Sequence, residues 1–201
     1  MFSKYDVYTT TESVYCYPGT NILRNKLGIK DAVLLRRAEE EITAVKQFEM
    51  LENPIHGHFS KTQLMNIHKF LFEDIYYFAG MIRREQISKA DTRFYPPDLI
   101  NRELDKVFSK IKADNMTNEK NIDKVYDNLA YVMAELNIIH PFREGNGRAI
   151  REFIRLLAQK CGININWGNV NREEVIEASI QSVYQYEQLI PILTKATQKD
   201  T

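Results

Sequence analysis

Residues 140–151 read HPFREGNGRAIR, and no other stretch constrains the fold of this chain as tightly. Upstream of it, Ile122, Val125, Tyr126, Leu129, Val132, Met133 and Leu136 repeat at intervals of three and four, which predicts a helix with an apolar stripe. Pro141 disfavours helix at His140 and pushes that residue toward extended geometry, so His140 stands where a helix ends and a loop begins. Gly145 and Gly147 supply a tight turn, because glycine reaches backbone angles closed to other residues. A second helical period, Ile150, Phe153, Ile154 and Leu157, follows directly and stops at Gly162. A loop, two glycines and a helix start aim backbone N–H groups at an anion, and the helix dipole adds positive potential there.

The side chains of the run suit a phosphate. Arg148 and Arg151 are three apart and share a face of the new helix's first turn. Their guanidinium forks favour bidentate phosphate contacts. Glu144 is placed to hold Mg²⁺, which takes one or two carboxylates together with phosphate oxygens and water. His140 can act as a general base near neutral pH. Asn146 offers its amide to a phosphate oxygen, while Phe142 turns inward as an apolar anchor. The plain alternative is a solvated Arg/Glu turn with a core histidine, the commoner case for a lone histidine and a rare one for the complete constellation.

The run resembles the signature of the Fic family, HxFx(D/E)GNGRxxR, and matches it at His140, Phe142, Glu144, Gly145, Asn146, Gly147, Arg148 and Arg151. The resemblance extends further. LFEDIYYFAGMIR at 71–83 is similar to the family's helix ending in an aromatic-Ala-Gly turn, and ISKADTRFYPP at 87–97 to its β-hairpin flap. YPGTNILRNKLGI at 17–29 resembles the N-terminal segment of short bacterial members, so the likeness covers roughly residues 17–190. It implies one Fic domain over residues 1–201, all-α in class, a helical bundle with a single small hairpin. Within it, 1–16 would be an N-terminal extension, 84–97 the flap and 140–151 the signature loop and helix start.

The resemblance also implies an activity: transfer of AMP from ATP to a Tyr, Ser or Thr hydroxyl of a target protein, with release of pyrophosphate. His140 would take the hydroxyl proton, Glu144 would carry Mg²⁺, and the turn amides of Gly145, Asn146 and Gly147 would stabilise the developing oxyanion. Arg148 would hold the β- and γ-phosphates and Arg151 the γ-phosphate. On the flap, Ile87, Phe94 and Tyr95 would clamp a target segment paired along the main chain. Lys89 and Ala90 would lie on the nucleotide side, although a solvent-facing lysine in a hairpin is the plain alternative. Gln181 and Tyr184 are the family-style candidates for the base pocket. Many family members carry an inhibitory helix (S/T)xxxE(G/N), and the chain has no match: Ser182 is followed by Tyr186 at the required spacing and Glu187 comes one residue late. An inhibitor would then be a separate small antitoxin chain, for which apolar positions near Val14 and Tyr15 offer a surface. Rival readings are transfer of another nucleotide or of a phosphate, and a non-catalytic nucleotide-binding module. Gly147 stands against the phosphate-transferring branch, which places lysine there, and the intact His140 stands against a non-catalytic role.

Composition sets the remaining bounds. The 27 basic and 27 acidic residues cancel, which gives no reason to expect nucleic acid or a membrane surface as partner. Pairs such as Arg36-Arg37 and Arg83-Arg84 are interleaved with acids and read as solvated. No apolar run approaches the roughly 18 residues of a membrane span, and MFSKYDVYTTTESVY lacks the apolar core of a secretory signal. Two cysteines, Cys16 and Cys161, are too few for a disulfide framework, and a reducing cytoplasm is the simplest setting, with delivery into a host cell left open.

Elsewhere the period is helical. Asp31 begins a helix running to about Phe48 with Ala32, Leu35, Ala38, Ile42 and Val45 on one face, and Glu39-Glu40-Glu41 on its wet side. Ser60 and Gln63 form a capping box ahead of Leu64, Ile67, Leu71 and Ile75, in a helix that Gly80 stops or bends. Residues 84–95 break the period and form the only strand-like piece. Helices follow from Asp98 to about Ala113 and from Asn171, capped with Glu174, to about Tyr186, with a short last one from Pro191. Asp114 to Glu119 is a polar loop.

Overall fold

The apolar stripe between Val125 and Leu136 builds the centre of the molecule. In the computed structural model, which describes residues 8–9, 13–89 and 92–198, it forms the long helix Ile122–Ile139, with Val125, Leu129, Val132, Met133 and Leu136 buried. Ile122 is exposed at its first turn, where the Asn121 side chain caps the N–H groups of Asp123 and Lys124. Before it in the chain come β1 (Tyr8–Thr9), α1 (Ala32–Glu52), α2 (Lys61–Phe72), β2 (Ser88–Lys89), β3 (Thr92–Arg93) and α3 (Pro97–Ala113), which makes the long helix α4. After it come α5 (Asn146–Lys160), α6 (Arg172–Gln181) and α7 (Ile190–Ala196). Helix α5 packs on both α4 and α2, and buries Ala149, Ile150, Phe153, Ile154 and Leu157 between them. The signature run thus joins α4 to a helix that is packed on both α4 and α2. The expected helical bundle with a hairpin is therefore what forms.

Several local expectations are corrected. The hairpin β2–β3 pairs Ser88 with Arg93 and Lys89 with Thr92, as predicted, but it is not the only strand pair. Strand β1 adds antiparallel at the other edge of β2, Tyr8 opposite Lys89 and Thr9 opposite Ser88, giving a sheet of order β1-β2-β3. Helix α2 ends at Phe72, well before Gly80, because the Lys26 ammonium takes the Glu73 carbonyl and the Lys26 N–H takes that of Ile75. Ser60 caps α2 through the Gln63 N–H, yet the Gln63 amide does not return to Ser60. It accepts from the Phe59 N–H and donates to the Ile55 carbonyl, pinning the preceding loop. Helix α6 carries the full Asn171–Glu174 capping box but stops at Gln181, where Ser182 Oγ bonds the Ser179 carbonyl in competition with the helix ladder. The loop 114–119 contains a 3₁₀ turn, Met116–Asn118, with Met116 buried.

The largest correction concerns α1. Asp31 caps it through the Leu34 N–H at 2.8 Å, and it runs on to Glu52. Its inward residues are Leu35, Glu39, Thr43 and Met50, while Ala32 and Val45 face solvent. An apolar count cannot find this face, because the middle of α1 packs against an arginine and a tyrosine rather than against hydrocarbon. Likewise Arg83, read as solvated, is 2% exposed.

Candidate active site

The backbone of the signature run forms the site's frame. His140 ends α4 in the left-handed conformation, φ 50° and ψ 63°, rather than the extended one that a following proline favours. Its N–H still closes the last turn of α4 on the Leu136 carbonyl, a common helix ending. Arg83 holds the departure from both sides: its N–H donates to the Pro141 carbonyl at 2.9 Å and its Nε–H to the His140 carbonyl at 2.8 Å. The same guanidinium donates to the Ile139 and Glu85 carbonyls and to that of Tyr95. A cation on the final carbonyls of α4 is favoured by the helix dipole, and here it also grips both ends of the hairpin. Phe142 turns inward, fully buried, as expected.

Gly145 then takes φ 78° so that α5 can start under the ring of Phe72. The Asn146 amide, expected at a phosphate, is instead closed on the loop. Its Oδ1 accepts from the Phe142 N–H at 2.8 Å and its Nδ2 donates to the Phe142 carbonyl at 2.7 Å. Asn146 thus clamps the loop with its side chain, while its backbone opens α5. His68 of α2 supplies a second clamp. Its Nδ1 accepts from the Gly80 N–H at 2.8 Å, so Nε2 carries the proton donated to the Glu144 carbonyl at 2.9 Å. Phe142 stacks on the His68 ring with centroids 3.8 Å apart. Burial drives the His68 pKa down to about 3 and keeps it neutral.

Above this frame lies a cavity of about 730 Å³ lined by His140, Glu144, Gly145, Asn146, Gly147, Arg148 and Arg151, with Lys89, Thr92 and Phe94 from the hairpin. Of the expected site residues, the signature ones, Lys89 and Phe94 therefore line one cavity, whereas Ile87 and Tyr95 do not. The His140 Nδ1–H donates to the Asn137 carbonyl at 3.0 Å, which leaves the lone pair on Nε2. Burial, aided by the cations of Lys89 and Arg83, lowers its pKa to about 3. Glu144 is shifted upward by burial and by the neighbouring Glu39, against the pull of Lys89 and Arg148. Arg151 makes no ion pair or side-chain hydrogen bond among the described residues, and burial beside Arg148 and Arg172 lowers it to about 10. Arg148 is already engaged: it pairs with Glu39 and donates to Thr43 Oγ1 at 3.1 Å.

The flap arrangement obeys the period of two. Lys89, Thr92 and Phe94 line the cavity, whereas Arg93 is exposed. Ile87 is fully buried and Phe94 lies against the His140 imidazole, so neither presents a surface to a target as expected; Tyr95 is partly exposed. Ala90 lies outside the described residues. Gln181 and Tyr184 do not line the cavity, and Tyr184 is 89% exposed; α6 contributes Val175, Ile176, Ser179, Ile180 and Val183 instead. The Val14–Tyr15 surface is half taken, since Tyr15 OH accepts from the Arg84 N–H and its ring packs edge-on against Phe78. Sequence reasoning missed Glu39, Thr43, Tyr76, His68 and Arg83. Of these only His68 left a signal, a histidine inside the apolar stripe Leu64, Ile67, Leu71.

No helix among the described residues is long and apolar enough to cross a membrane. The Fic/DOC family model matches residues 58–158. The chain is 35% identical over 188 residues to the protein adenylyltransferase VbhT of Bartonella schoenbuchensis, covering 94% of this chain but 39% of that protein's length. It is 30% identical over 176 residues to "Probable protein adenylyltransferase y4lH" of Sinorhizobium fredii, covering 87% and 90% of the two chains. The N-terminal Fic domain of a VirB-translocated Bep effector protein from Bartonella quintana, solved with bound ADP, superposes with a TM-score of 0.84 at 27% identity, over 93% of this chain and 95% of that one. This chain belongs to the Fic/DOC family.

Proposed function

We propose that the chain is a protein adenylyltransferase that moves AMP from ATP to a Tyr, Ser or Thr hydroxyl of a target protein. The tautomer of His140 carries the reading. With Nδ1–H committed to the Asn137 carbonyl, Nε2 presents its lone pair and can take the hydroxyl proton. The hydroxyl oxygen then bonds the α-phosphorus, the bond from that phosphorus to the β-phosphate oxygen breaks, and pyrophosphate leaves. The N–H groups that open α5 meet the charge on the phosphate oxygens, a preorganised effect often worth about 3 kcal/mol per donor. Arg151 takes the γ-phosphate, and the Arg148 N–H groups not used by Glu39 and Thr43 take the β- and γ-phosphates. Lys89, with Ala90 beside it in sequence, covers the nucleotide from the flap.

Glu144 fits Mg²⁺. Among the described residues no three His, Cys, Asp or Glu side chains gather into a cage made of protein alone, and one carboxylate completed by phosphate oxygens and water is a set that Mg²⁺ accepts. Bound there, Mg²⁺ would neutralise charge on the α- and β-phosphates. A target segment would pair with the hairpin along the main chain at the edge of β3, since β1 covers the edge of β2. Inhibition by a separate antitoxin chain accords with the lack of an (S/T)xxxE(G/N) pattern in the sequence. Glu39 lies outside that pattern, because residue 35 is leucine.

The test is incubation with a cell lysate, Mg²⁺ and ATP labelled at either the α- or the γ-phosphate, with His140→Ala as control. Target labelling from the α-label alone, lost in the variant, is the expected result. Labelling from the γ-label would replace AMP transfer with phosphate transfer, and undiminished labelling by His140→Ala would remove the histidine from the chemistry.

A further inference from the structure

Glu39 opens the run Glu39-Glu40-Glu41, where the sequence suggests only a wetted helix face. Its side chain is 11% exposed, and both carboxylate oxygens are used. Oε1 pairs with Arg148 Nη2, and Oε2 accepts from Tyr76 OH. One turn on, Thr43 Oγ1 accepts from Arg148 Nη1 at 3.1 Å while donating to the Glu39 carbonyl at 2.7 Å. The Phe72 ring closes the third side, 4.7 Å from Arg148 Cζ. Helix α1 and the turn after α2 thus define where this guanidinium sits.

Glu144 Oε1 lies 3.9 Å from the same Nη2. Two carboxylates therefore compete for one arginine, and the nearer is Glu39. An arginine offers five N–H donors. Glu39 and Thr43 take one each and leave the others for phosphate oxygens. Without Glu39, Arg148 would find its counter-ion in Glu144, a short swing away. That would withdraw the guanidinium from the phosphates and the carboxylate from any cation in a single movement.

We infer that Glu39, braced by Tyr76, is a positioning residue that anchors Arg148 and keeps it from pairing with Glu144. The inference rests on the nucleotide-transfer reading of the site, and the experiment separates the two. Wild type, Glu39→Ala and Glu39→Gln are compared as full chains. Affinity for the ATP analogue AMPPNP is measured by calorimetry without target protein, so that its cleavable α–β bond has no acceptor hydroxyl, with EDTA and again with Mg²⁺, and kcat and KM for ATP in target labelling are measured beside it. A displacement of about 1 Å in a positioning group costs up to roughly a hundredfold in rate. Glu39→Ala should therefore lose ten- to a hundredfold in kcat, need more Mg²⁺, and bind AMPPNP more weakly than wild type even in EDTA, because Arg148 has left the phosphates for Glu144. Glu39→Gln keeps one oxygen to accept from Arg148 and an NH₂ that can donate to the Tyr76 hydroxyl oxygen, and should retain most of kcat.

Equal kcat for Glu39→Ala and wild type would overturn the inference. A rise in both kcat and affinity would overturn it too, making Glu39 a brake. If Glu39→Ala does not fold, Tyr76→Phe frees one Glu39 oxygen and Thr43→Val frees Arg148 Nη1. Each should lower kcat several-fold, and wild-type kcat in both would sink the idea. A wild-type protein that neither binds AMPPNP nor labels a target would instead bring down the nucleotide-transfer reading, and this inference with it.

Discussion

The ring of Phe94, at the foot of β3, lies 3.7 Å from the imidazole of His140 and within 12° of parallel to it. The hairpin therefore touches the proposed base directly, and Arg83 ties the same two elements through their carbonyls. Phe94→Ala should leave His140 exposed and free to rotate. The expected outcome is a loss of roughly 3 kcal/mol or more in stability, as for a buried Phe→Ala change, and a His140 pKa that climbs back toward its ordinary value. Titration of the His140 ring by NMR in the variant checks this; an unchanged pKa would mean that the ring of Phe94 does not keep water from His140.

His68 and His140 are both held near pKa 3, below the value of about 6.5 in an unfolded chain. Between those values the unfolded state binds protons that the folded state refuses. Stability is therefore complete above about pH 6.5 and falls as pH drops toward 3, by up to about 1.4 kcal/mol per pH unit for each histidine. Urea unfolding from pH 4 to 8 should show that loss, and His68→Asn or His140→Ala should each remove one proton's share of the slope. The proton-abstracting step should show no limb near pH 6.5, because the base is already neutral there.

How much of this was legible in the chain follows from the kind of interaction each residue makes. Helix α4, the turn at Gly145 and the convergence of His140, Glu144, Arg148 and Arg151 were readable, since apolar period and glycine spacing act locally. Glu39 was not: its burial comes from an arginine 109 positions away, and composition alone makes three consecutive glutamates a solvated face. Arg83 was hidden in the same way, a cation satisfied by carbonyls that any sequence supplies. Asn146 was misjudged because an amide in a glycine turn ahead of a helix suggests a phosphate contact, whereas it fits the Phe142 peptide four residues back.

The two signature glycines should respond differently to alanine. At Gly145 a Cβ would fall 2.2 Å from Phe72 Cζ, with φ already at +78°. At Gly147 the nearest atom is Arg151 Nη1 at 3.1 Å, the end of a long side chain. Gly145→Ala should lose several kcal/mol of stability, the range of overpacking together with a strained backbone. Gly147→Ala should melt near wild type yet bind ATP more weakly, because Arg151 has to move. Melting curves and calorimetry on the pair decide it, and equal melting temperatures would contradict the packing of Phe72 on the turn.

His68 offers the sharpest test of the frame. Removing its ring strips the acceptor from the Gly80 N–H and the donor from the Glu144 carbonyl, both part-buried, at about 1–3 kcal/mol each. His68→Ala should therefore melt several degrees lower, about 2–4 °C for each kcal/mol at this chain length. Because the freed carbonyl belongs to Glu144, the damage should reach the chemistry as well: half-maximal activity should require more Mg²⁺, while KM for the target protein stays as it is. His68→Gln offers one amide to two partners set on opposite sides of a ring and should recover only part of the stability. A variant that melts lower but keeps the wild-type Mg²⁺ requirement would confine His68 to holding α2 against the loop, with no hand in placing Glu144.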